Sequence, residues 1–184
     1  MVDVMPFLVP IGIVVLVIIC IFISEKNKFV RYKNNIRNSK SSIDVYLKQR
    51  FDLIPNLVEV VKAYAKHEES LFKEVVEARN KYNQTESLRD GMITNNDLNK
   101  IVALGEDYPE LKANENFLDL QKQLAKMESQ LQAARRVYNS EVNTYNNAVM
   151  MVPSGWFAKL YGYKEEEYFE AKLDEKDNVE IKLW

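Results

Sequence analysis

The chain has 184 residues, a formal net charge of −2 and a single cysteine. That length supports one continuous hydrophobic core beyond any anchor, and one cysteine excludes an internal disulfide or a cysteine-based zinc framework. Five glycines and five prolines leave few turn signals, which disfavours a β-rich domain and points to helices.

Val4 to Ile23 (VMPFLVPIGIVVLVIICIFI) is an uncharged run of 20 residues. As a helix it would cover about 30 Å, the thickness of a bilayer's hydrocarbon core. An uncleaved transmembrane anchor over residues 1–25 is therefore expected, because the short N-terminal flank lacks a basic side chain and no small-x-small cleavage site precedes the charged block. Cys20 lies inside this run and reads as a small apolar packing residue. Lys26, Lys28, Arg31, Lys33, Arg37 and Lys40 follow, against Glu25 alone. This one-sided basic flank predicts a single-pass protein of the inner (cytoplasmic) membrane, N-terminus outside and body in the cytoplasm. Lys26, Lys28, Arg31 and Lys33 are the expected contacts with anionic headgroups. Membrane proximity accounts for the basic block, so nucleic acid is not an expected partner.

From Ile36, apolar residues return at steps of three and four through Ile43, Leu47, Phe51, Ile54, Val58, Val61, Ala65, Phe72 and Val75. Pro55 interrupts this face in DLIPNLVEVV and predicts a kink or a break, with Asp52 available to cap a restarted helix. Asp90-Gly91 reads as a turn, Thr94 with Asp97 as a helix start, and Gly105 as the end of that short helix. Tyr108-Pro109 redirects the chain. The clearest period spans Asn114 to Met151, where Phe117, Leu120, Leu124, Met127, Leu131, Ala134, Tyr138, Glu141, Tyr145 and Ala148 make a heptad-like seam. Val152-Pro153-Ser154-Gly155 ends this helix, and Trp156 and Phe157 open an aromatic group suited to plugging one end of a bundle or meeting a partner. Lys164–Glu170 reads as a short acidic helix and Asn178–Trp184 as a strand-like tail. The predicted fold class is all-α: the anchor, then an elongated antiparallel bundle of long helices with short additional ones over residues 26–184.

No catalytic constellation stands out. His67 is the only histidine and lacks the second ligand that zinc or di-iron spacings require. No phosphate loop, dinucleotide fingerprint or serine elbow occurs, and neighbouring carboxylates such as Glu68 and Glu69 read as helix-surface charges. No catalytic residue, metal ligand or cofactor is assigned. In YNSEVNTYNN, buried amides would fix helix register, and Asn139 and Asn146 are expected to meet the first helix.

In order, IDVYLKQRFDLIPNLVEVVKAYAKHE, ARNKYN, YPELKANENFLDLQKQLAKMESQLQAARRVYNSEVNTYNNAV and VPSGWFAKLYGYKEEEYFEA resemble the LemA family of bacterial membrane-anchored proteins. The family's DLIPNLV element falls on Asp52 to Val58, YPELKA on Tyr108 to Ala113, and its AR-x-x-YN-x-x-V-x-x-YN element on Ala134, Arg135, Tyr138, Asn139, Val142, Tyr145 and Asn146. Val152 stands where the family commonly has Phe, and the tail lacks the usual proline near Asn178. The resemblance implies an antiparallel cytoplasmic bundle anchored once, no established catalytic activity, and association with membrane remodelling or, in some bacteria, with HtpX-type membrane metalloproteases. The expected protein is a non-enzymatic scaffold or adaptor that self-associates in the membrane, with a regulator of a membrane protease or envelope stress response as the alternative. Asp52, Pro55, Asn56, Tyr138, Asn139, Tyr145, Asn146, Trp156 and Phe157 form its candidate packing or partner surface.

Overall fold

The structure, a computed structural model, describes residues 5–169, with side chains from Pro10 onward. Every regular element among them is helical: α1 (Met5–Phe51), α2 (Ile54–Lys62), α3 (Glu69–Thr85), α4 (Leu88–Asp107), α5 (Pro109–Lys112), α6 (Glu115–Met150) and α7 (Ser154–Tyr161). The expected strand-like tail at Asn178–Trp184 lies outside the described residues. Contacts divide the chain into two compact units, one holding the described residues up to Ser39 and from Arg136, the other Lys40–Arg135. Both α1 and α6 supply residues to each.

The expected membrane-spanning helix over Val4–Ile23 is not reproduced: among the described residues no helix is long and apolar enough to cross a membrane. The uncharged stretch of α1 ends at Ser24. Glu25, Lys26 and Lys28 follow on the same continuous helix.

In the first unit, α1 and α6 run antiparallel, since Phe29 meets Tyr145 while Asn35, one and a half turns further on, donates to Glu141 at 3.2 Å. Phe29, Ile36, Val142, Tyr145, Ala148 and Ala158 form its core, with Tyr32, Tyr138, Phe157 and Tyr163 packed on it. Phe29 stacks on Tyr163 with ring centroids 4.8 Å apart, a contact worth about 0.5–1.5 kcal/mol beyond burial alone. Gly162 in the left-handed region closes α7, where a Cβ-free residue turns the chain without strain.

The second unit buries the apolar stripe from Ile43 to Val75 and the upper half of the α6 seam, with Phe117, Leu124 and Leu131 nearly or wholly enclosed. At Pro55 the helix breaks: α1 stops at Phe51, and α2 restarts at Ile54 with Pro55 in its first turn. Proline is tolerated there because the first N–H groups of a helix have no internal partner. Leu53, and not Asp52, occupies the N-cap, with no side-chain cap bond.

Three local expectations are corrected. Asp90-Gly91 is not a turn: the break falls at Glu86 (φ 46°) and Ser87, and α4 runs unbroken from Leu88. Gly91 is needed for close approach, since a Cβ there would lie 2.8 Å from Leu47 and 3.0 Å from the Tyr82 ring. Thr94 does not start a helix; its hydroxyl donates to the Asp90 carbonyl inside α4, and Asp97 accepts from Lys100 at 2.8 Å. Nor does Gly105 end one; it lies within α4 against the Phe117 ring.

Candidate functional site

Along α1, Ile11 to Ile23 presents an almost continuous exposed apolar surface, with Cys20 also exposed. The basic residues begin within one turn of its end. Lys26 and Arg31 are exposed, and Lys28 lies 3.9 Å from Glu25. Lys33 turns away from this group, forming an ion pair with Glu166 at 3.2 Å and lying over the Tyr145 and Tyr163 rings.

The amide strip of α6 has a different partner from the expected one. Residues 163–169 carry no regular secondary structure, which corrects the acidic helix expected over Lys164–Glu170, and the asparagines hydrogen-bond to this segment. Asn146 donates to the Glu166 carbonyl and accepts from its N–H, each at 2.9 Å. Asn139 does the same to Phe169, at 3.0 and 2.7 Å. Tyr145 donates to the Lys164 carbonyl at 2.8 Å and Tyr138 to that of Glu167 at 3.3 Å. The spacing fits: seven helical residues rise about 10.5 Å, and three residues of chain reach about 10 Å when stretched. Backbone outside regular structure needs partners for its N–H and C=O groups, and primary amides supply a donor and an acceptor together. Burial, with the Glu166 charge adding, pushes the Tyr145 phenol up to about 12, and burial also raises that of Tyr138.

Phe157 packs into the first unit's core and against Phe22 at 5.0 Å, as a plug would, whereas Trp156 next to it stays exposed. The remaining candidates lie in the second unit. Pro55 and Asn56 are exposed on the first turn of α2, and Asp52 pairs with Arg79 at 3.6 Å. Exposed His67 sits in the turn between α2 and α3, not on a helix face.

Arg50 was not among the sequence candidates. It is 3% exposed and bonded to Asn95, Glu128 and, at 2.6 Å, Asn99. Burial lowers its pKa, and the Glu128 carboxylate opposes that shift. The signal was present: Arg50 falls seven positions after Ile43 and three after Leu47, on the buried stripe, where a charge needs partners. Beside it in sequence, Ser41, Asp44, Lys48, Asp52, Tyr82 and Glu86 line a cleft of about 450 Å³. Asp44 Oδ1 is buried there without a partner. Burial raises the Asp44 pKa, and burial followed by the Asp44 charge pushes the Tyr82 phenol up to about 12. Among the described residues, no group of three His, Cys, Asp or Glu side chains converges as a metal site would require.

These features define a helical protein with an exposed apolar N-terminal helix and an amide clamp on its longest C-terminal helix. The LemA family model matches residues 39–183, and the chain belongs to the LemA family. It is 22% identical to magnetosome protein MamQ 2 of Paramagnetospirillum magneticum, over 86% of this chain and 69% of that one. Identity to magnetosome protein MamQ of Magnetospirillum gryphiswaldense is 23%, over 79% and 65% respectively. Protein LemA of Metamycoplasma hominis is 22% identical, over 87% of this chain and 75% of its own.

Proposed function

We propose that this protein is a non-enzymatic scaffold or adaptor held at a membrane by the N-terminal part of α1, its body on the cytoplasmic face, and that it self-associates to organise membrane proteins. The observation that carries the reading is the exposed apolar surface from Ile11 to Ile23, followed at once by Lys26, Lys28 and Arg31. An uncovered apolar surface of this extent is unfavourable in water, and a basic flank favours the anionic cytoplasmic leaflet. A role in building a cellular structure is also in keeping with relatives named for the magnetosome.

The test is chemical crosslinking of the full chain in native membranes, followed by mild detergent extraction and electron microscopy. Multimers or stoichiometric adducts with membrane proteins are expected. Recovery only as an uncrosslinked monomer, or complete release from membranes by alkaline carbonate, would overturn the reading.

A further inference from the structure

The α6–α7 corner bears a second exposed apolar surface that no role has yet absorbed. Met150, Met151 and Val152 at the end of α6, and Trp156 and Leu160 on α7, are all exposed, with Trp156 at 67% and Val152 at 68%. Trp156 and Leu160 are four apart and share a helix face, while Gly155 and Ala158 on the other side are buried. From Val142 to Lys164 the sequence contains no acidic residue, and the charges are Lys159 and Lys164.

Two contacts fix the level of this corner along α1. The Phe157 ring meets the Phe22 ring edge-on at 5.0 Å, and the Tyr161 hydroxyl donates to the Phe22 carbonyl at 3.1 Å. Phe22 is the penultimate residue of the apolar run, and Lys26 stands four positions on. The corner therefore lies where the apolar surface of α1 gives way to its basic one. Tryptophan, tyrosine and snorkelling lysine are the side chains that suit the boundary between acyl chains and headgroups.

We infer that the α6–α7 corner is a second membrane-contact site, laying Met150–Val152, Trp156 and Leu160 into the headgroup–acyl boundary of the bilayer beside α1. The occupant is lipid because the corner adjoins the apolar run of α1 at Phe22 and its own segment, Val142 to Lys164, carries no acidic residue. Two points of contact, α1 and the corner, restrict how the first unit can tilt against the membrane. The inference rests on the membrane attachment proposed above.

The test reads Trp156 fluorescence in the full chain reconstituted into phosphatidylcholine vesicles containing some phosphatidylglycerol. Trp184→Phe leaves Trp156 as the only indole. A control chain carries Val17→Trp with Trp156→Phe and Trp184→Phe, and circular dichroism checks that both fold alike. The expected result is a blue-shifted Trp156 emission that loses roughly half its intensity when the acyl chains are brominated near the headgroup, with weak quenching by aqueous acrylamide. If the Val17→Trp control is quenched by bromolipid but Trp156 answers only to acrylamide, the corner is overturned while attachment stands. If neither is quenched by bromolipid, both fall together. Shielding of Trp156 from both quenchers would assign the patch to a second copy or another protein and overturn the lipid contact.

Discussion

The side-chain amide of Asn146 closes a two-way ring with the backbone of Glu166, donating to its carbonyl and accepting from its N–H, both at 2.9 Å. Asn139 repeats the ring with Phe169. One heptad of α6 thus equals three residues of irregular chain, and the segment after Gly162 is held in register by side chains in place of a neighbouring strand. Because Phe29 stacks on Tyr163 at the start of this segment, the clamp also closes the first unit's core.

Removing one amide should free one end of the clamp. Asn146→Ala deletes two hydrogen bonds, each contributing about 0.5–1.5 kcal/mol, so local opening should become cheaper by about 1–3 kcal/mol. Hydrogen exchange at the Glu166 amide should then accelerate about 5- to 150-fold. Asn143→Ala, which removes only an exposed acceptor for the Tyr168 hydroxyl, should leave that amide unchanged. Equal rates in both variants would show that the Asn146 ring does not hold the segment.

The buried cation in the second unit should behave asymmetrically. Glu128→Ala strands the Arg50 charge in a site 3% exposed, and a denaturant melt should show a loss of about 3 kcal/mol or more. Arg50→Met should cost less, because the Glu128 side chain is 24% exposed and can rehydrate. Replacing both by Met should recover most of the loss, since a paired apolar substitution leaves no unbalanced charge. A double variant as unstable as Glu128→Ala would mean that Asn95 and Asn99, not the charge balance, dominate the site.

Much of this architecture was legible in the sequence because hydrophobic period reports burial directly. Ile43, Leu47, Phe51, Ile54, Val58 and Val61 were placed on one face by spacing alone, and all are buried. Asn139 and Asn146 were expected against the first helix, and the hydrogen bonds their amides make run to Phe169 and Glu166. KEEEYFE has helical composition, yet residues 164–169 carry no regular secondary structure and are bonded to the α6 amides instead. Asp90-Gly91 failed for a related reason: a turn signal and a close helix crossing both call for glycine, and packing against Leu47 and Tyr82 decided the matter. The stripe spacing marks Arg50 as buried, but its partners come from α4 and α6, and no local pattern displays them.

Glycines should separate by what surrounds them. A Cβ at Gly105 would lie 2.6 Å from Cε1 of Phe117, so Gly105→Ala must displace a fully packed ring and should destabilise by about 1–3 kcal/mol. Nothing lies within 4 Å of a Cβ at Gly12, where Gly→Ala should instead gain up to about 1 kcal/mol of helix propensity. Thermal melts of the two variants in the same detergent should move in opposite directions. A Gly105→Ala variant with wild-type stability would show that Phe117 is free to shift.

Titration of the cleft beside Tyr82 should destabilise the fold as pH rises. Burial lifts the Asp44 pKa above its ordinary 3.8, with Glu86 adding repulsion and Lys40 opposing. The folded chain therefore holds this proton more tightly than the unfolded chain. The associated stability is intact below the ordinary carboxylate value and is lost as pH climbs through the raised one. At neutral pH the charged form is carried at a cost, so Asp44→Asn should raise the melting midpoint there by a few degrees, a gain that disappears below about pH 4. Tyr82 repeats the logic at the alkaline end. Its phenol, ordinarily at 10.0, is pushed up to about 12, so stability should fall again across that interval, and Tyr82→Phe should flatten the second decline. Melting curves of wild type, Asp44→Asn and Tyr82→Phe from pH 3 to 12 test both windows. An Asp44→Asn curve parallel to wild type throughout would show that the carboxyl is hydrated and not buried in the folded protein.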